Sequence, residues 1–124
     1  MPEAPVSWGE LIDKITILEI KSDRLTGADA LANVRRELAA LRKVEPDVAE
    51  ANLAALKAGL VRVNQALWDI ENEIRAKEAA SDFGPGFVEL ARAVYRTNDE
   101  RAALKRQINL ALGSELIEEK SYTK

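Results

Sequence analysis

Leu53, Leu56, Leu60, Val63, Leu67, Ile70 and Ile74 recur at alternating spacings of three and four residues. That alternation averages about 3.5 residues, the period of a seam in which side chains of one helix insert between those of another. No proline interrupts the run, and Gly59 is its only weak helix former. The pattern predicts a long helix from about Pro46 to Ala80, ~50 Å at 1.5 Å per residue, pressed along a partner. Val61 and Trp68 lie off the seam and supply a second contact line.

The same reading places three further helices. Ser7-x-x-Glu10 is a capping box, so a helix is expected to start there. Trp8, Leu11, Ile12, Ile15, Leu18 and Leu25 fall on one face of it, and Ile17 and Ile20 on another. A helix apolar on two sides lies between two layers, or between the core and a second subunit. Thr26-Gly27 is expected to end it, with Gly27 in the left-handed position. Asp29 can cap a second helix over Ala30–Lys43, striped by Leu31, Val34, Leu38 and Leu41. Pro46 breaks that helix and fits the first turn of the next, so the two fold back antiparallel. Ser81-Asp82-Phe83-Gly84-Pro85-Gly86 stops the long helix. Gly84 as N-cap and Pro85 at the first position start a fourth helix that reaches Leu112, with Gly113 as its stop. Phe83 and Val88 are placed to form a hydrophobic staple. One more turn is expected at Ser114–Ile117.

The predicted fold is therefore all-α: four helices, a long antiparallel third–fourth hairpin with the first and second helices packed on it. At 124 residues the chain is read as a single domain over 1–124, with residues 1–6 and 118–124 loosely attached. There is no internal repeat and no low-complexity segment.

Composition narrows the chemistry. The chain has no cysteine and no histidine, which excludes thiol chemistry, Cys/His zinc sites and imidazole acid–base catalysis. A net charge of −3, from 18 basic and 21 acidic residues, gives no bulk attraction to nucleic acid or anionic membranes. No basic-then-apolar leader precedes Ser7, and no apolar run approaches the length that spans a bilayer. The expectation is a cytoplasmic protein with no metal and no cofactor. Gly84-Pro85-Gly86 reads as a turn and not as a phosphate loop. The basic face of the second helix (Arg35, Arg36, Arg42, Lys43) has no interleaved aromatic residues and is diluted by Glu37, so it reads as solvated and not as a nucleic-acid surface.

Two features carry the candidate function. Asn98, Arg101, Lys105 and Asn109 share a face of the fourth helix with Phe87, Leu90 and Val94, where packing favours apolar side chains. Glu19 sits within the stripe of the first helix. Charges in such places need partners. One reading is an anion-binding pocket in which Arg101 and Lys105 hold a carboxylate or phosphate, with Asn98 beside them and Glu19 orienting them. The other, commoner in helical proteins, is a structural Glu19–Arg101 pair or a Lys105 facing water. The second feature is Ile17 and Ile20, whose position opposite the main stripe points to self-association as a homodimer or larger. Leu at the first seam position with β-branched residues at the second favours antiparallel or higher-order packing over a parallel dimer.

Ser7-Trp8-Gly9-Glu10-Leu11-Ile12-Asp13-Lys14-Ile15-Thr16-Ile17-Leu18-Glu19-Ile20-Lys21 and Val94-Tyr95-Arg96-Thr97-Asn98-Asp99, continuing through Lys105-Arg106-Gln107-Ile108-Asn109 to Gly113–Tyr122, form strings that resemble a family of small bacterial proteins classed as a domain of unknown function. The resemblance implies a bacterial source and carries no activity with it. The function expected from the residues is a non-enzymatic, self-associating interaction or scaffold module. The alternative is a small ligand binder or enzyme acting on an anionic metabolite.

Overall fold

The computed structural model of the chain describes residues 1–47 and 51–113. Four helices follow one another: α1 Trp8–Arg24, α2 Ala28–Arg42, α3 Ala51–Ala79 and α4 Pro85–Leu112. No strand occurs among the described residues. The helix α3 and its neighbour α4 pack along each other as an antiparallel hairpin; α1 lies on both, and α2 packs on α1.

Two apolar clusters explain the layering. Leu11, Ile15 and Leu18 of α1 meet Val34 and Leu38 of α2, flanked by Leu25 and Leu41. On the other side of α1, Ile12 meets Leu60 of α3 and Ile108 of α4, flanked by Leu56, Leu104 and Leu112. The two-sided apolar pattern of α1 is thus satisfied within one chain, with α2 as one layer and the hairpin as the other. Ile15, Leu60 and Ile108 have no exposed surface. Each such side chain contributes about 1.5–3 kcal/mol by leaving water.

The helix ends differ from expectation in instructive ways. Ser7 Oγ accepts the Glu10 N–H at 3.1 Å, so half of the capping box forms. The Glu10 carboxylate does not turn back to Ser7; it meets Lys105 of α4 instead. Gly27 has φ −73° and is not left-handed: Leu25 closes α1, and Gly27 is the N-cap of α2, which begins at Ala28 and does not use Asp29 as cap. Pro46 does not open the helix: Glu45, Pro46 and Asp47 lie outside α3, which is described from Ala51. Gly84, Pro85 and Gly113 serve as expected, and Gly113 takes φ 67° with its N–H on the Asn109 carbonyl. Phe83 packs edge-on against Phe87 at 5.3 Å. Phe83 and Val88, the expected staple, are both exposed. The extra turn at Ser114–Ile117 and the tail 118–124 lie outside the described residues.

The core is confined to one half of the hairpin. From Gln65 to Leu104 no residue is buried. Of the seam, Leu53, Leu60 and Val63 are buried, while Leu67, Ile70 and Ile74 are half-buried. The reason is length: α1 has 17 residues and α3 has 29, so the far part of the hairpin extends beyond the helix that covers it.

Candidate functional site

The contact between α1 and α4 is a polar ladder. Three residues of α4, one turn apart, meet the first two turns of α1. Asn109 Oδ1 accepts the Gly9 N–H at 2.6 Å. Lys105 Nζ lies 2.9 Å from Glu10 Oε2. Arg101 Nε lies 3.0 and 3.1 Å from the two Asp13 oxygens, and its Nη2 makes a short contact with Oδ2. The first rung satisfies a first-turn N–H that the helix itself cannot bond. The last is a two-point guanidinium–carboxylate pair, the strongest geometry for such a contact.

Gly9 makes the close approach possible. A Cβ there would overlap the Lys105 carbonyl oxygen and lie 2.8 Å from Asn109 Oδ1. The absence of a side chain lets the two backbones come together, and the ladder follows from that closeness.

Asp13 is 0% exposed and is shared with α3. Asn64 Nδ2 donates to Asp13 Oδ1 and to Thr16 Oγ1, each at 2.9 Å. Thr16 Oγ1 donates in turn to the Asp13 carbonyl at 2.7 Å. Every buried side-chain nitrogen and oxygen among the described residues has a partner. A charged group buried this deeply is tolerated when paired and hydrogen-bonded on all sides.

Glu19 is not part of this ladder. Its carboxylate lies 3.4 Å from Lys57 Nζ and 3.9 Å from Arg42, on the side of α1 that faces the α2–α3 turn. Lys57 also donates to Glu45 at 2.8 Å. Burial works to lower the Lys57 pKa, but the Glu45 hydrogen bond and the charges of Glu19 and Glu45 outweigh it and leave the ammonium held above its ordinary value. The expected Glu19–Arg101 pair is therefore replaced by two separate pairings. Asn98 is half-buried on α4, and among the described residues its side chain makes no hydrogen bond. Arg101 and Lys105 come together as expected, each already engaged by an acidic residue of α1.

Asp13, Thr16 and Asn64 are the participants that sequence reasoning missed. The signal was present: Gly9, Asp13, Thr16 and Ile20 fall in one line at spacings of four, three and four, the spacing of a packed helix face. Polar character hid them.

Beside the ladder an open groove of about 310 Å³ lies between α1, α3 and Arg101 of α4, lined by Ile17, Ile20, Leu67 and Trp68 and by the polar Asn64, Glu71, Asn72 and Arg101. Arg24 stacks over the Trp68 ring at 5.8 Å and bonds Asp69 at 2.6 Å, closing one side. Ile20 is 5% exposed, so it is covered within one chain. Ile17 is half-buried and remains on the groove wall. Of the two residues marked as an outer apolar face, only Ile17 meets solvent appreciably. Among the described residues no three metal-ligating side chains of the acid, histidine or cysteine type come together. No helix among them is long and apolar enough to cross a membrane.

The chain belongs to a family of unknown function, DUF6165, whose model matches residues 3–124. No curated protein matches it, and no solved structure does.

Proposed function

For this member of a family without an assigned activity, we propose a non-enzymatic interaction module that associates with itself, working in the cytoplasm of a bacterium. The supporting observation is the far part of the hairpin. Leu67, Ile70, Ile74, Phe87, Leu90 and Val94 recur on it at core spacing, yet no residue from Gln65 to Leu104 is buried. Two helices alone cannot enclose the apolar face they share; a further layer is needed. Phe83 at the hairpin tip and Tyr95 on α4 are more than half exposed. This much uncovered apolar surface at regular spacing is the mark of a protein contact.

The anion-binding alternative draws less support. Arg101 and Lys105, the cations it needs, are neutralised by Asp13 and Glu10. The groove next to them is walled by apolar side chains.

Sedimentation equilibrium at micromolar concentration tests the proposal. The expected result is a dimer or larger species that Ile74→Asp converts to monomer with its helical circular dichroism intact. A monomer mass at every concentration overturns self-association.

A further inference from the structure

We propose that the groove between α1, α3 and Arg101 binds a small uncharged molecule, an apolar ring system carrying an N–H or O–H donor that the side-chain oxygen of Asn64 receives. Occupancy of this site does not require self-association.

The orientation of Asn64 carries it. Asn64 is only 6% exposed, yet it lines the groove. Its Nδ2 donates to Asp13 Oδ1 and to Thr16 Oγ1. Both partners can only accept: a carboxylate has no proton to give, and the Thr16 hydroxyl proton is already committed to the Asp13 carbonyl. The amide therefore cannot be turned over, and its oxygen faces away from them. Among the described residues no hydrogen bond reaches that oxygen. Every enclosed side-chain oxygen has a partner, so this one is open to solvent, and the groove is the opening that Asn64 lines. A residue more than nine-tenths buried thus presents one acceptor, fixed in direction by two bonds, to a recess with apolar walls.

The lining selects the class of ligand. Ile17, Ile20, Leu67 and Trp68 form the walls, and Arg24, stacked over the Trp68 ring and bonded to Asp69, holds that ring in place. A flat ring system packs well on such a surface. A volume of about 310 Å³ lies at the lower end for small-molecule sites and suits one or two fused rings. Charge argues against an ion. An anion sets its oxygens against Asn64 Oδ1, and Arg101, the cation on the lining, is engaged by Asp13 through Nε and Nη2. A cation finds Glu71, but also Arg101 on the same lining and Arg24 over Trp68. A neutral donor meets neither opposition and supplies the bond that Asn64 Oδ1 lacks. An acceptor held in this way favours a ligand that donates over one of the same shape that does not.

Indole and benzofuran test this. They have the same shape, but indole has an N–H where benzofuran has an oxygen. The titration follows amide and ring N–H resonances of the isotope-labelled full chain carrying Ile74→Asp, a change outside the groove that keeps a second copy from competing for it. Indole at millimolar concentration should shift the Trp68 ring N–H and the Asn64 side-chain amide saturably. The ring N–H of Trp8, at the start of α1, should stay in place. Benzofuran should bind about threefold to tenfold more weakly, the worth of one hydrogen bond. Indoleacetate and tryptamine, one anionic and one cationic, should bind no more tightly than indole. In Asn64→Leu the preference for indole over benzofuran should vanish. That substitution also strips a bond from Asp13 and can unfold the chain, so the matched pair on the chain that keeps Asn64 is decisive by itself. Absence of saturable shifts, shifts centred away from the groove, equal affinity for indole and benzofuran, tighter binding of either charged analogue, or a preference that survives in a folded Asn64→Leu chain each overturns the proposed site. Asn64 is then a structural support of Asp13 alone, and self-association is judged separately by sedimentation.

Discussion

Arg101 closes on Asp13 across 88 residues of sequence, and the two partners are unequally buried. The Asp13 side chain is 1% exposed and the Arg101 side chain 28%. Arg101→Met strands a buried carboxylate with only Asn64 to bond it, and is expected to cost about 3–5 kcal/mol. Asp13→Asn leaves a guanidinium that can turn to water, and should cost less, about 1–3 kcal/mol. The double variant should be no worse than Arg101→Met alone, because no buried charge is left unpaired. A double-mutant cycle in denaturant measures this. Strict additivity of the two losses would show that the pair contributes nothing as a pair.

Gly9→Ala should be among the most damaging small changes in the chain. The added methyl meets the Lys105 backbone and Asn109, neither of which can move without separating α1 from α4. Overpacking of this kind costs about 1–3 kcal/mol, and more when backbone must shift. Gly59→Ala meets only the Leu104 methyls, at 3.1 and 3.2 Å, which can rotate away. Its strain is offset by roughly 1 kcal/mol of gained helix propensity. Urea midpoints of the two variants should differ widely; equal midpoints would mean that the α1–α4 closeness is not required.

The seam should be energetically split. Leu60 is 0% exposed at the junction of three helices, and Leu60→Ala should cost about 2–5 kcal/mol. Leu67 continues the same seam but is half-buried and lines the open groove. Leu67→Ala in the monomer should cost less than half as much, since solvent already reaches the site. Measured well below the dimer dissociation constant, a Leu67→Ala loss equal to that of Leu60→Ala would contradict the exposed position of Leu67.

Alkaline stability should depend on Lys57. Its folded pKa is raised above the ordinary value of 10.5. A raised pKa means that the folded chain holds this proton more tightly than the unfolded chain does. The contribution is therefore complete below about pH 10.5 and is lost as pH rises through the folded pKa. Lys57→Met should flatten the alkaline fall in stability between pH 9 and 12, and Glu45→Gln should do so in part. Hydrogen-ion titration of the denaturant midpoint over that range checks it. An unchanged alkaline slope in Lys57→Met would show that the Glu45–Lys57–Glu19 cluster does not couple to folding.

The sequence by itself determined the elements. Apolar spacing of three and four residues, together with Gly84-Pro85 and Gly113, set the long hairpin and its turn, because helix periodicity and chain reversal are local properties. The two apolar sides of α1 announced that it lies between layers. Only the tertiary structure decided which polar residues those layers enclose. Asp13 and Glu19 are both acidic residues among apolar ones on α1, and the line through Gly9, Asp13, Thr16 and Ile20 marks a packed face without saying which helix meets it. Asp13 shares a line with Gly9, whose missing Cβ brings α4 close enough for Arg101 to reach it. Glu19 points to the other side of α1 and finds Lys57. The choice between them depends on how α1 is rotated and set down on the hairpin, a matter of packing between residues far apart in the chain. The difference in length between α1 and the hairpin was readable in the sequence. That it leaves an arm uncovered followed only from where α1 was laid.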